Sequence, residues 1–115
     1  MPHFVIEYSR EVENQADMVD IMDVTFQAGL DSGIMNAKDI KVRARPYDFF
    51  KLVEDGQTFL HVTVFLLDGR TDEVKENLAL LLRERLAEKL PSVSSVSIDI
   101  CDMNRTAYKK RVLEG

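Results

Sequence analysis

Apolar and polar residues alternate along HFVIEY, residues 3 to 8: Phe4, Ile6 and Tyr8 fall on one side, and His3, Val5 and Glu7 on the other. A period of two predicts a strand. From about residue 12 to residue 30 the apolar spacing changes to three and four, through Val12, Ala16, Val19, Met22, Phe26 and Leu30. With Glu13, Asp17, Asp20 and Asp23 on other faces, this predicts a long amphipathic helix. Gly29, Ser32 and Gly33 supply its stop signals. DIKVRAR, residues 39 to 45, alternates again, and Pro46 is expected to end that strand.

Asp55-Gly56 marks a turn, and TFLHVTVFLL, residues 58 to 67, reads as a heavily apolar strand central in a sheet. Asp68-Gly69 breaks it. Thr71 is placed to cap a helix whose first turn carries Asp72 and Glu73 and whose stripe is Val74, Leu78, Leu82 and Leu86, running to about Lys89. Pro91 ends it, and SVSIDIC, residues 95 to 101, alternates as a last strand. The remainder, MNRTAYKKRVLEG, is polar and is expected to form a helical tail or arm over residues 103–115.

The order is strand, helix, strand, given twice, with repeats at about 2–46 and 58–101. Two βαβ units predict an α+β fold: one four-stranded sheet with both helices on one face and right-handed crossovers. The other face, with Val5 and Phe65 on it, is left bare, and oligomerisation is its expected cover.

Composition narrows the function classes. A chain of 115 residues with 45% apolar content suits one domain over 1–115. A formal net charge of -5 disfavours nucleic acid and anionic membrane surfaces as partners. The single cysteine, Cys101, allows no internal disulfide, and no targeting or membrane-length segment is visible, so a cytoplasmic location is expected. No phosphate-binding glycine motif and no metal-ligand spacing occurs, so neither a cofactor nor a metal is expected; His3 and His61 read as structural.

Chemistry then rests on ordinary side chains or on the terminus. Lys41, Arg43 and Arg45 occupy alternate positions of one strand and share a face. They read either as charges that protect an edge strand or as a site for a di- or tricarboxylate. Arg70 follows Asp68-Gly69 at the carboxyl end of a strand, where ligands collect in open α/β sheets. Pro2 suits the first position of a strand, having no N–H to leave unpaired. If Met1 is removed, Pro2 instead becomes a free secondary amine, able to take a proton from one atom and return it to another.

MPHFVIEYS, IKVRARPYD, FLHVTVFLLDGRT and DMNRTAYKKR, set in the duplicated βαβ order, resemble the 5-carboxymethyl-2-hydroxymuconate isomerase family of the tautomerase superfamily over nearly the whole chain. The resemblance implies a homotrimer without metal or organic cofactor and with an active site at each subunit boundary. It implies Pro2 as catalytic base and Arg70 and Arg43 as carboxylate contacts, with Lys41 and Arg45 flanking. The implied reaction is isomerisation of 5-carboxymethyl-2-hydroxymuconate to its conjugated 2-oxo isomer in homoprotocatechuate catabolism. Two alternatives stand beside it: a promiscuous tautomerase of phenylpyruvate-like acids, and a non-catalytic trimeric binding protein. Pro46-Tyr47 departs from the family pattern after the middle strand and bears on substrate preference.

Overall fold

The computed structural model describes residues 1–113. Four strands, β1 (His3–Ser9), β2 (Lys41–Tyr47), β3 (Phe59–Leu67) and β4 (Ser95–Met103), alternate in the chain with two helices, α1 (Met18–Asp31) and α2 (Asp72–Lys89). The sheet order is β2-β1-β3-β4. β1 runs parallel to β2, β3 parallel to β4, and the two central strands are antiparallel. The sheet is therefore mixed, each strand-helix-strand unit contributing the parallel pair that its crossover predicts and the two pairs meeting antiparallel.

Alternation decides what is buried. Phe4, Ile6 and Tyr8 of β1 and Leu60, Val62, Val64 and Leu66 of β3 join Ile21 and Ala28 of α1 and Leu78, Leu82 and Leu86 of α2 in one core. The central strands supply the fully buried residues, whereas Val42, Ala44, Val96, Ile98 and Ile100 on the outer strands are only partly covered. His3, Val5, Glu7, Arg43, Thr63, Phe65 and Asp99 alternate with these residues and point to the opposite, open face.

Three expectations change. The helix drawn from about 12 to 30 divides into a 3-10 turn at Arg10–Asn14 and α1, which begins at Met18 because the Asp17 side chain accepts from the Val19 N–H. The buried face of α1 is Ile21, Thr25, Ala28 and Gly29, leaving Val19 61% exposed. At Gly29 a Cβ would stand 3.1 Å from Phe4 Cζ and 3.0 Å from Met35 Sδ, so the missing side chain lets the helix settle on β1.

Pro46 does not end β2, which continues to Tyr47. As an edge strand, β2 has no outer neighbour to miss the absent N–H. Residues 104–113 form no regular helix: a turn at 105–107, with Asn104 Oδ1 accepting from the Thr106 and Ala107 N–H groups, leads the tail back across the sheet edge. The last two residues of the expected arm lie outside the described residues.

Candidate functional site

Three chain segments meet at the start of β1. Parallel pairing sets His3 against Lys41, and the Lys41 N–H donates to the Pro2 carbonyl at 3.1 Å. Pro2 itself is buried. Antiparallel pairing sets His3 against Phe65, which brings the carboxyl end of β3 to the same place. The chain leaves β3 through Gly69, whose φ of 115° is accessible to glycine and strained for other residues, and this bend delivers Arg70. Arg105 donates to the Asp68 carboxylate at 3.2 Å and also to the Asp68 carbonyl, holding the bend from the tail side.

Arg70 is half-buried. Its Nη1 donates to the Leu67 carbonyl at 3.2 Å and its Nη2 to the Ile34 carbonyl at 3.1 Å. Those bonds fix the plane of the guanidinium, and its other N–H donors have no protein acceptor among the described residues. The tail adds Lys110, paired with Asp39 at 3.3 Å, and Tyr108, whose hydroxyl is 3.0 Å from His3 Nε2. His3 Nδ1 in turn lies 3.2 Å from Arg43 Nη1.

At the terminus, burial shifts the amine toward its neutral form. The amino group of the chain, here on Met1, has its pKa lowered by burial; Lys110, Arg70 and Lys41 push the same way, and Asp39 opposes them. His3 is lowered by burial and by Arg43, Lys41, the terminus and Lys110. Asp39 is held below the usual carboxylate range chiefly by its bond to Lys110.

The cations expected from the sequence divide in the structure. Lys41 and Arg70 act on the terminus, and Arg43 lies one pleat further along and touches His3. Arg45 is not brought there: four residues along β2 from Lys41, about 13 Å at the usual rise, it joins Tyr47, which donates to Glu7. Ion pairs form elsewhere, among them Arg10 with Asp48 and Arg85 with Asp31. Lys41, Arg43, Arg45 and Arg70 have no carboxylate partner among the described residues. In a chain of net charge -5 this is a local excess of positive charge, suited to an anion.

Sequence reasoning missed Asp39, Tyr108 and Lys110 and read His3 as structural. The basic run YKKR was the available signal for the tail; its return to β1 follows from the turn at Asn104.

A cavity of about 540 Å³ lies at the far end of β1 and β2, between Glu11, Asp48 and the loop of residues 50–57. Acidic groups line much of it, and none of the expected site residues does.

A duplicated strand-helix-strand domain with an anion-suited cluster around its amino terminus defines a member of the tautomerase superfamily, and the comparisons place it more closely. The model of the 5-carboxymethyl-2-hydroxymuconate isomerase family matches residues 2–110, and the chain belongs to that family. It is thus an isomerase of the tautomerase superfamily. A 5-carboxymethyl-2-hydroxymuconate isomerase structure from Deinococcus radiodurans R1 superposes with a TM-score of 0.84 at 19% identity, covering 96% of this chain and 88% of that one. A 5-carboxymethyl-2-hydroxymuconate delta-isomerase structure gives a TM-score of 0.79 at 19% identity, covering 97% and 88%. A fused 4-OT protein described as a symmetric trimer gives 0.67 at 20% identity, covering 91% and 86%. At these identities the likeness is one of fold. No curated protein sequence matches the chain.

Proposed function

We propose that the chain isomerises 5-carboxymethyl-2-hydroxymuconate, or a close enol polycarboxylate, to its conjugated 2-oxo isomer, with Pro2 as the acid-base group. The observation that carries this reading is the set of cations without carboxylate partners among the described residues, Arg70 and Lys41, beside a partly buried terminus whose amine is pushed toward its neutral form. Removal of Met1 would move that amine onto Pro2, where burial and the same cations disfavour its charged form. The neutral amine takes the proton of the enol hydroxyl and, as an ammonium, returns one to a distant carbon. Arg70, Lys41 and Arg43 hold substrate carboxylates and stabilise the delocalised anion between the two transfers.

Neither step draws on a group outside the chain and its substrate, so the reading includes no cofactor. It includes a homotrimer, in which the open sheet faces of three copies cover one another and the site lies at a subunit boundary. The fused trimeric neighbour supports that assembly.

The test follows the absorbance of the enol muconate with protein whose mass confirms loss of Met1. Rapid conversion that falls at least a hundredfold in protein that keeps Met1, where the residue 2 nitrogen is an amide without basicity, on the order expected for losing a general base, supports the reading. Equal turnover with Met1 retained removes the residue 2 amine from the mechanism, and decay no faster than in buffer removes the substrate. Faster turnover of a phenylpyruvate-like monoacid would reassign the pocket.

A further inference from the structure

His3 stands between two groups that have little else to hold them. It lies on the open face of β1, in register with Lys41 of β2 and Phe65 of β3. Its Nδ1 is 3.2 Å from Arg43 Nη1 and its Nε2 is 3.0 Å from the Tyr108 hydroxyl. A guanidinium only donates, so Nδ1 must be the acceptor and the ring proton must sit on Nε2, donated to the Tyr108 oxygen. The Tyr108 ring meets the imidazole edge-on with centroids 5.9 Å apart, which resists rotation of the histidine. Among the described residues, the Arg43 side chain has no other hydrogen-bond partner.

The charged groups that act most strongly on His3 among the described residues are cations: Arg43 and Lys41 from β2, the terminal amine ahead of β1, and Lys110, itself paired with Asp39, from the tail. From β3 the neighbour in register is the uncharged Phe65. A second proton on the ring would sit on Nδ1, against the guanidinium, and would remove the acceptor that Arg43 uses.

We propose that His3 is the positioning residue for Arg43: the neutral ring, braced by Tyr108, sets the direction in which the guanidinium meets a substrate carboxylate. The inference rests on the reading of Arg43 as a carboxylate contact. It also gives the tail a role in binding, because Tyr108 reaches the site only through the fold-back of residues 104–108. Below the lowered pKa of His3 the ring charges, Arg43 loses its acceptor and carboxylate affinity falls.

The test has two parts. Nitrogen NMR of ring-labelled protein at neutral pH should show His3 neutral with the proton on Nε2; a charged ring or the opposite tautomer overturns the proposal whatever the substrate. A double-mutant cycle on KM then uses His3→Phe, His3→Asn, Arg43→Ala and the double variant His3→Phe/Arg43→Ala. His3→Phe should raise KM about tenfold, as expected for a lost bond to a charged group, with kcat changed far less. His3→Asn, which keeps an acceptor near the Nδ1 position, should recover most of that loss and abolish the rise of KM at acidic pH. In the Arg43→Ala background the His3→Phe change should cost nothing more. An Arg43→Ala variant with unchanged KM overturns the Arg43 reading itself. A normal Arg43 effect with a silent or strictly additive His3 effect overturns the positioning role alone.

Discussion

Replacing Arg70 by alanine is expected to have two separable effects. The first is structural: the guanidinium joins the Ile34 carbonyl, beyond α1, to the Leu67 carbonyl, at the end of β3, at 3.1 and 3.2 Å. Because Arg70 is half-exposed, water can reach both carbonyls after truncation, so the loss sits near the low end for such bonds, about 1 kcal/mol for the pair. For a domain of this size that is about 4 °C in Tm. The second effect is on substrate. A planar guanidinium whose orientation is already fixed loses little freedom on meeting a carboxylate, and such a charge-assisted contact contributes about 3 kcal/mol, or about a hundredfold in kcat/KM. Arg70→Lys keeps the charge but cannot span both carbonyls, so it should recover part of the activity and little of the Tm. Thermal unfolding and kcat/KM for the enol muconate, measured on the same preparations, read the two effects. A Tm loss with kcat/KM within about twofold of the parent would refute the substrate role and leave Arg70 as a tie between two loops.

Two further perturbations act on different parts of the molecule. The acid limb of kcat/KM should lie below the usual pKa of a terminal amine, because burial lowers it and protonation removes the base. Lys110→Ala should move that limb to higher pH and Asp39→Asn to lower pH, since the lysine opposes the ammonium and the aspartate favours it; an unmoved limb in both variants would detach it from the terminus. Ser9 is fully buried, and its hydroxyl accepts from the Phe59 N–H at 3.0 Å while facing the Phe59 carbonyl at 3.4 Å. Ser9→Ala should cost about 1–3 kcal/mol by denaturant unfolding, and a loss below about 0.5 kcal/mol, the usual range for a surface change, would mean that Phe59 finds another partner.

Much of the fold was legible because its strands and second helix are strongly periodic. Leu78, Leu82 and Leu86 of α2 are buried as their spacing requires, and Thr71 caps the helix by accepting from the Val74 N–H. The first helix was less legible: among Glu13, Asp17, Asp20 and Asp23 nothing in the pattern singles out Asp17, whose capping role appears only when the Val19 N–H is placed beside it. Pro46 misled because the rule against proline in strands relaxes at an edge, and which strand is an edge depends on the whole sheet. For the site, alternation put Lys41, Arg43 and Arg45 on one face. Their division into a residue beside the terminus, a residue on His3 and a residue remote from both depends on the register of β1 against β2, which no local pattern encodes.

The antiparallel pairing of β1 with β3 relates the two strand-helix-strand halves by an approximate twofold, and each half has an arginine in the segment between its first strand and its helix: Arg10, directly after β1, and Arg70, three residues after β3. Arg10 is bound to the Asp48 carboxylate at 2.9 Å, whereas Arg70 has no such partner among the described residues. The second half begins at Thr58, in the middle of the chain, where the backbone nitrogen belongs to an amide and donates to Ser94 Oγ. Repetition within a chain can copy side chains and strands, but it cannot copy a chain end. If Pro2 is the base, one pole of this pseudosymmetric sheet can hold it and the other cannot, and at that other pole Arg10 is tied to Asp48. Each chain has one amino terminus, so if Pro2 is the base, each copy of this doubled sheet offers one such centre and not two.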